Sequence, residues 1–214
     1  MNLAVVILAA GASSRMGRPK LLLPWNGTSV IGHLIERWMG LNPTQIAVVS
    51  VAGHKTLHEE LKHVGIAPSQ LIFNPAPELG MFSSVQCAAR WEGWAPQATH
   101  WAIALGDQPL VRTETLSHLL AFAADTEGGV HQPSRNGRGR HPVILSRSVF
   151  ARLKDSPAVN LKQFLVTSGV RVQRCEMDDP GLDLDLDEPA DYERALALAQ
   201  SPGFNDQGPG PKVQ

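Results

Sequence analysis

Twice in this chain a short apolar run halts on a glycine and meets charge at once: "NLAVVILAAGASSR" from Asn2 and "HWAIALGD" from His100. Runs of this length, without polar alternation, fit strands buried on both faces, and such strands belong to parallel sheets covered by helices. The rest of the chain supplies both element types in turn. Thr28 or Ser29 can cap a helix to about Gly40, with Ile31, Leu34, Ile35 and Trp38 at core spacing. "QIAVVSV" reads as the next strand, His54 to Val64 as a helix, "QLIFN" as a strand, and a helix is expected from near Ser83. Another helix is expected from Thr113 to about Ala124. Beyond it "GGVHQP" and "PVILS" read as strands joined by the Gly/Arg-rich "SRNGRGRH". "SVFARL" and "NLKQFLVTS" read as helices, "VRVQRCEM" as a late strand, and a last helix starts at Pro189. Such alternation means an α/β fold with a mostly parallel sheet, whose ligands bind outside the carboxyl ends of the strands. Gly11 and Asp107 both stand at such ends.

At 214 residues the chain suits one sizeable core. Its net charge of -1 gives no global pull toward nucleic acid or an anionic membrane, so neither is an expected partner. Cys87 and Cys175 lie far apart, which argues against a zinc knuckle or a disulfide scaffold. Leu3 to Ala10 is too short to span a bilayer and lacks a basic flank, so a cytoplasmic protein is expected. From Ser201 on, "SPGFNDQGPGPKVQ" is rich in Gly, Pro and Gln, and disorder is expected over 200–214.

The loop "LAAGASSRMGRPK" combines backbone turns at Gly11 and Gly17, hydroxyls at Ser13 and Ser14, and cations at Arg15 and Lys20. Amide N–H groups, hydroxyls and fixed positive charge suit a triphosphate. The spacing is neither that of a Walker A loop nor G-x-G-x-x-G. At the other end of the chain, Asp183, Asp185 and Asp187 alternate along an extended segment, which sets three carboxylates on one face. Such a face is either solvated or neutralised by a cation. Two carboxylates with phosphate oxygens suit magnesium, which takes few protein ligands. Asp107 is either a partner in that site or a turn residue, and Ser83 or Ser84 either caps a helix or lines a site. Arg138, Arg140 and His141 suit an anionic second substrate. The other histidines show no metal spacing.

These motifs resemble those of the MobA-like nucleotidyltransferase superfamily. "LAAGASSRMGRPK" matches its signature L-x-A-G-x-x-x-R-M-G-x-x-K in full, "GDQP" looks like its second motif, and "DLDEPADYE" is similar to its terminal D-x-D-T-P-E-D-L. The resemblance covers residues 1–199. It implies a single-domain, mostly parallel, Rossmann-like three-layer sheet of the nucleotide-diphospho-sugar transferase type. It implies a nucleotide site at Ala9, Ala10, Gly11, Ala12, Ser13, Ser14, Arg15 and Lys20, with Arg15, Lys20 and Asp107 catalytic. Magnesium would be held by Asp107 and Asp187 with Asp185 in support.

"NPAPELGMFSSV" is similar to N-x(5)-G-M-x-x-S of the cytidylyl-transferring branch, which adds Asn74, Gly80, Ser83 and Ser84 to the nucleotide site. The pair Ala9-Ala10 also resembles that branch, so CTP is the expected nucleotide. "RHPV" resembles the G-H-P-V of molybdenum cofactor cytidylyltransferases, which implies that Arg138, Arg140, His141 and Pro142 bind the acceptor, with Arg140 in place of Gly. The implied reaction moves CMP from CTP onto a phosphorylated acceptor such as molybdopterin, releasing pyrophosphate. A molybdoenzyme maturation partner is implied with it. The branch's G-D-x-G-A-R stretch is missing, and "LKDSPAVNLKQFL" stands there. A sugar phosphate acceptor, or a nucleotide-binding regulator without catalysis, are the competing readings.

Overall fold

The computed structural model describes residues 1–201 and 204. Strand β1 (Leu3–Leu8) is buried at every residue, as a run without polar alternation requires. Leu3, Val5 and Ile7 face one core while Ala4, Val6 and Leu8 face another, so the sheet is covered on both sides. After the glycine-rich loop come a 3-10 turn at Lys20–Leu22 and a small hairpin of β2 (Pro24–Trp25) and β3 (Thr28–Ser29). Ser29 Oγ accepts from the Gly32 N–H at 3.0 Å and caps α1 (Val30–Gly40), as the sequence suggests. Then follow β4 (Gln45–Ser50), α2 (Lys55–His63), β5 (Leu71–Phe73) and α3 (Met81–Arg90). The second half holds β6 (His100–Leu105), α4 (Thr113–Asp125), β7 (Val130–Arg135), β8 (Arg138–Gly139) and β9 (Val143–Ser146). It ends with α5 (Arg147–Arg152), α6 (Leu161–Thr167), β10 (Val172–Glu176), a 3-10 turn at Pro180–Asp183 and α7 (Pro189–Ala199).

The main sheet runs β10-β7-β9-β6-β1-β4-β5, with β8 folded back on β7. Strands β6, β1, β4 and β5 are parallel, β10 is parallel to β7, and β9 is antiparallel to both its neighbours. This is the expected single α/β domain, with a mixed sheet where β9 is inserted. Helices α1, α2 and α4 pack on one face, and α3, α5 and α6 on the other. A third apolar cluster joins Met16 of the glycine-rich loop, Trp25 of the hairpin, Leu184 and Leu186, and Tyr192 of α7. Tyr192 also donates its hydroxyl to the Pro24 carbonyl at 2.6 Å.

Three local outcomes differ from the sequence expectation. The β2–β3 hairpin is extra; its turn is Asn26-Gly27, both at positive φ, the pair that tight hairpins favour. Helix α3 starts at Met81 rather than Ser83, and Ser83 Oγ donates back to the Gly80 carbonyl at 2.7 Å instead of capping. Residues 202, 203 and 205–214 of the expected disordered segment lie outside the described residues, but Phe204 is 8% exposed within the third cluster. No helix among the described residues is long and apolar enough to cross a membrane.

Candidate active site

Strands β1 and β6 are paired along their whole length, so their ends arrive together. The Gly106 N–H donates to the Leu8 carbonyl at 3.0 Å, and a Cβ on Gly106 would sit 2.8 Å from that oxygen. Only glycine lets the chain turn there, and Asp107 is the residue that the turn presents. The acidic segment before α7 is tied to the same place. The Leu186 N–H donates to the Asp107 carbonyl at 3.1 Å, and Gly181 lies so close to Leu110 that a Cβ would meet its carbonyl oxygen at 2.2 Å. Residues from opposite ends of the chain thereby share one rim.

Lys20 closes the group. Its Nζ is 2.5 Å from Asp107 Oδ2 and 3.2 Å from Asp187 Oδ1, and Arg15 Nη2 reaches Asp187 Oδ2 at 2.9 Å. Ser13 Oγ accepts from the Lys20 N–H at 3.3 Å and holds that backbone in place. Asp191 Oδ2 takes the N–H groups of Asp187 and Glu188 at 3.2 and 2.9 Å, which orients Asp187 from the α7 side. Burial works against charge on Lys20, but its pairs with Asp107 and Asp187 outweigh it and raise its pKa. Burial likewise opposes the Asp187 charge, and Lys20 and Arg15 outweigh it, so that carboxyl lies below its usual range. Asp185 goes the other way. Burial and then repulsion from Asp107 raise its pKa, although Gln108 Nε2 donates to its Oδ1 at 2.7 Å.

Two cavities meet at this rim. The first, of about 560 Å³, is bounded by Ala9 and Ala10, by Arg15, Lys20 and Asp107, and by Gly80 and Ser84. The second, of about 580 Å³, is lined by Arg138, Arg140, Asp183 and Gln108. Leu105, His141 and Asp185 belong to both and form their shared wall. His141 Nδ1 donates to the Ile103 carbonyl at 3.2 Å, and burial lowers the imidazole pKa. Arg140 pairs with Asp183, which also holds Arg135 at 2.5 Å. Burial opposes the Asp183 charge, but the two guanidinium groups lower its pKa on balance.

The expected residues divide accordingly. Ala9, Ala10, Gly11, Arg15, Lys20, Gly80, Ser84, Asp107, Asp185 and Asp187 line the first cavity. Ala12, Ser13 and Ser14 instead line a separate cavity of about 550 Å³ between the loop and the start of α2. Asn74 is buried at 2% exposure; its Nδ2 donates to Ser83 Oγ at 2.8 Å and Ser84 Oγ at 2.9 Å. Asn74 and Ser83 therefore shape the loop before α3 rather than line the cavity. Pro142 is buried on the core side, beside Leu34 and Trp38. The sequence reading misses Gln108, the 5% exposed holder of Asp185, although it directly follows Asp107. It also misses Met81 and Leu21, which are apolar lining without a chemical signature.

No group of three or more His, Cys, Asp or Glu placed to share an ion occurs among the described residues. Asp107 and Asp187 nevertheless hold one cation between them already, the Lys20 ammonium. Two hard oxygen donors are the kind of protein ligand that a magnesium ion would accept, with water and phosphate oxygens completing its shell.

The pattern of the MobA-like NTP transferase domain family matches residues 5–172. The chain belongs to that family. Molybdenum cofactor cytidylyltransferase of Escherichia coli (strain K12) is 28% identical over 188 residues, which is 87% of this chain and 92% of that protein. The crystal structure of Rv0371c from Mycobacterium tuberculosis H37Rv superposes with a TM-score of 0.74 at 26% identity, covering 92% of this chain and 98% of that one. A complex of Rv0371C with manganese superposes at 0.67 and 25% identity, covering 92% and 99%. The fold is that of the nucleotide-diphospho-sugar transferases, and the protein is a nucleotidyltransferase of the MobA-like type.

Proposed function

We propose that this nucleotidyltransferase moves CMP from CTP onto the phosphate of a molybdopterin-type acceptor and releases pyrophosphate. The observation that carries the reading is the shared wall. A cavity rimmed by Lys20, Arg15 and two carboxylates abuts a cavity rimmed by Arg138 and Arg140, so two anionic substrates can meet at Asp185 and His141. The cytidylyltransferase from E. coli supports the choice of nucleotide and acceptor, as do the buried side chains of Ala9 and Ala10. Two methyl groups there leave less room than glycines would, which suits a pyrimidine. A molybdoenzyme maturation partner would then receive the product.

Arg15 and Lys20 bind the phosphate oxygens of the nucleotide, and the floor at Ala9 and Ala10 seats its base. Arg138 and Arg140 hold the acceptor phosphate, one of whose oxygens attacks the α-phosphorus while pyrophosphate leaves on the opposite side. That oxygen is already ionised near neutral pH, so positioning and charge neutralisation suffice. Asp107 and Asp187, with Asp185 beside them, would hold magnesium, which neutralises phosphate charge when bound. The manganese complex of the mycobacterial relative supports a divalent cation.

The test supplies CTP, GTP, UTP and ATP in turn with magnesium and purified molybdenum cofactor, and measures pyrophosphate. CTP is expected to give the highest kcat/KM. A clear preference for GTP overturns the choice of nucleotide, and turnover with sugar phosphates but not molybdenum cofactor overturns the acceptor.

A further inference from the structure

We propose that Lys20 is the resident counter-ion of the carboxylate pair, so that a divalent metal and the nucleotide each strengthen the binding of the other at this site. The inference rests on the reading of Asp107 and Asp187 as metal ligands. It adds a coupling between the two ligands and a second role for Lys20, which positions the carboxylates before any phosphate arrives.

The geometry is that of an occupied site. Lys20 Nζ lies within hydrogen-bonding reach of oxygens from both carboxylates, at 2.5 and 3.2 Å. The lysine side chain is only 13% exposed, and Ser13 Oγ holds its backbone N–H, so the ammonium is fixed in place rather than free in solvent. Arg15 supplies a second positive charge on the remaining Asp187 oxygen at 2.9 Å. With Asp185 in the same cavity, three carboxylates face two cations, a formal charge of -1. A bare dication must therefore displace the ammonium or turn the group to a formal +1, and must give up hydration to do so.

A triphosphate changes that balance. Its oxygens offer Lys20 and Arg15 new anionic partners within the same cavity. The lysine carries three donors on a flexible four-carbon stem, so it can turn from carboxylate to phosphate without movement of the main chain. The carboxylate oxygens that it leaves are the ones that a metal needs. Each ligand thus removes the obstacle to the other, which is positive coupling in the thermodynamic sense.

The experiment is a manganese titration read by the electron paramagnetic resonance of free Mn²⁺. It uses wild type, Lys20→Met and Lys20→Arg, each with and without CTP, with binding to CTP alone subtracted. Wild type is expected to bind Mn²⁺ weakly without CTP and much more tightly with it. Lys20→Met should bind Mn²⁺ without CTP about tenfold or more tightly than wild type, since removing one adjacent charge shifts cation equilibria by one or more log units. Lys20→Arg keeps the charge and should behave as wild type does. Melting curves accompany each variant, and the wild-type comparison stands by itself if a variant does not fold. Equal Mn²⁺ affinity of wild type with and without CTP overturns the coupling. So does a Lys20→Met protein, folded by its melting curve, that binds bare Mn²⁺ no more tightly than wild type. Absence of Mn²⁺ binding in every sample, CTP included, overturns the metal reading itself and this inference with it.

Discussion

Asp187 is gripped from two sides, by Lys20 and Arg15 at its carboxylate and by Asp191 at its amide, and Asp107 shares the first of those cations. If the two carboxylates serve one ion, as proposed, they should fail together. Asp107→Asn and Asp187→Asn are each expected to lower turnover by about 10²-fold or more with the fold intact, and the double variant should lose little more. Pyrophosphate release across a magnesium titration, with melting curves, decides this; near-normal turnover by Asp187→Asn at low magnesium would sink the shared site. Asp183→Asn should leave the response to nucleotide and metal unchanged, because Asp183 holds Arg135 and Arg140 beside the second cavity. Asp185 makes a different prediction. Burial and its acidic neighbours raise its folded pKa, so the stability it contributes is full below about pH 4 and is lost as pH rises through the folded value. Asp185→Asn keeps an oxygen to accept from Gln108 and carries no charge. In EDTA its Tm should match wild type near pH 4 and exceed it as pH rises through the folded value; a difference that stays flat across that range would show that the Asp185 charge carries no penalty.

Between elements, the turn after β6 is braced by groups from distant segments. Arg37 of α1, 5% exposed, donates to the Pro109 carbonyl at 2.9 Å and to that of Val111, and burial lowers its pKa to about 10. Beside it, burial and then Arg37 lower the His33 pKa to about 3, so that imidazole is neutral at any working pH. Asp179, 1% exposed, accepts from the Arg112 N–H at 2.9 Å, from Thr115 Oγ1 at 2.6 Å and from the Gly181 N–H at 2.9 Å. Arg37→Met removes a charged donor from the Pro109 and Val111 carbonyls and from His33, and should cost about 3 kcal/mol. For a chain of this size that is roughly a 10 °C fall in Tm. Turnover should also fall at temperatures where the variant is still folded; unchanged turnover there would show that Asp107 does not need the brace.

None of these partners was legible in the sequence. The strands, the helices, the cap at Ser29 and the helix start at Pro189 are written in local periodicity and side-chain chemistry, which need only near neighbours. Arg37 sits on a helix whose other core positions are apolar, and only the distant turn explains its burial. The separate cavity that takes Ser13 and Ser14 was equally hidden, because a motif states which residues form a loop and not which side of it they face.

Across the whole molecule, the site lies where the sheet changes direction. Strand β6 pairs β1 in parallel and β9 antiparallel. The antiparallel partner begins beside the end of β6, with Val143 opposite Ile103, and so His141 arrives next to Asp107's strand end. The first cavity thus draws on the parallel half, and the second on β9, the β7–β8 hairpin and Asp183. "LKDSPAVNLKQFL" instead leads into α6, whose Leu161, Phe164 and Leu165 pack in the core on the α3 face. That stretch lines neither cavity. The third apolar cluster then bears on the end of the chain. From composition alone the whole segment after Ser201 is expected to be dispensable, but Phe204 lies in the cluster that holds Trp25 and Tyr192, with the Arg112 guanidinium 5.0 Å from its ring centre. Burying such a ring stabilises by about 2 kcal/mol. A chain ending after Asn205 should therefore melt with the full-length protein, while one ending after Ser201 should melt roughly 4–8 °C lower. Phe204→Ala in the full chain should reproduce most of that loss, since the ring is what enters the cluster. Equal melting temperatures for all four proteins would show that the cluster is complete without Phe204.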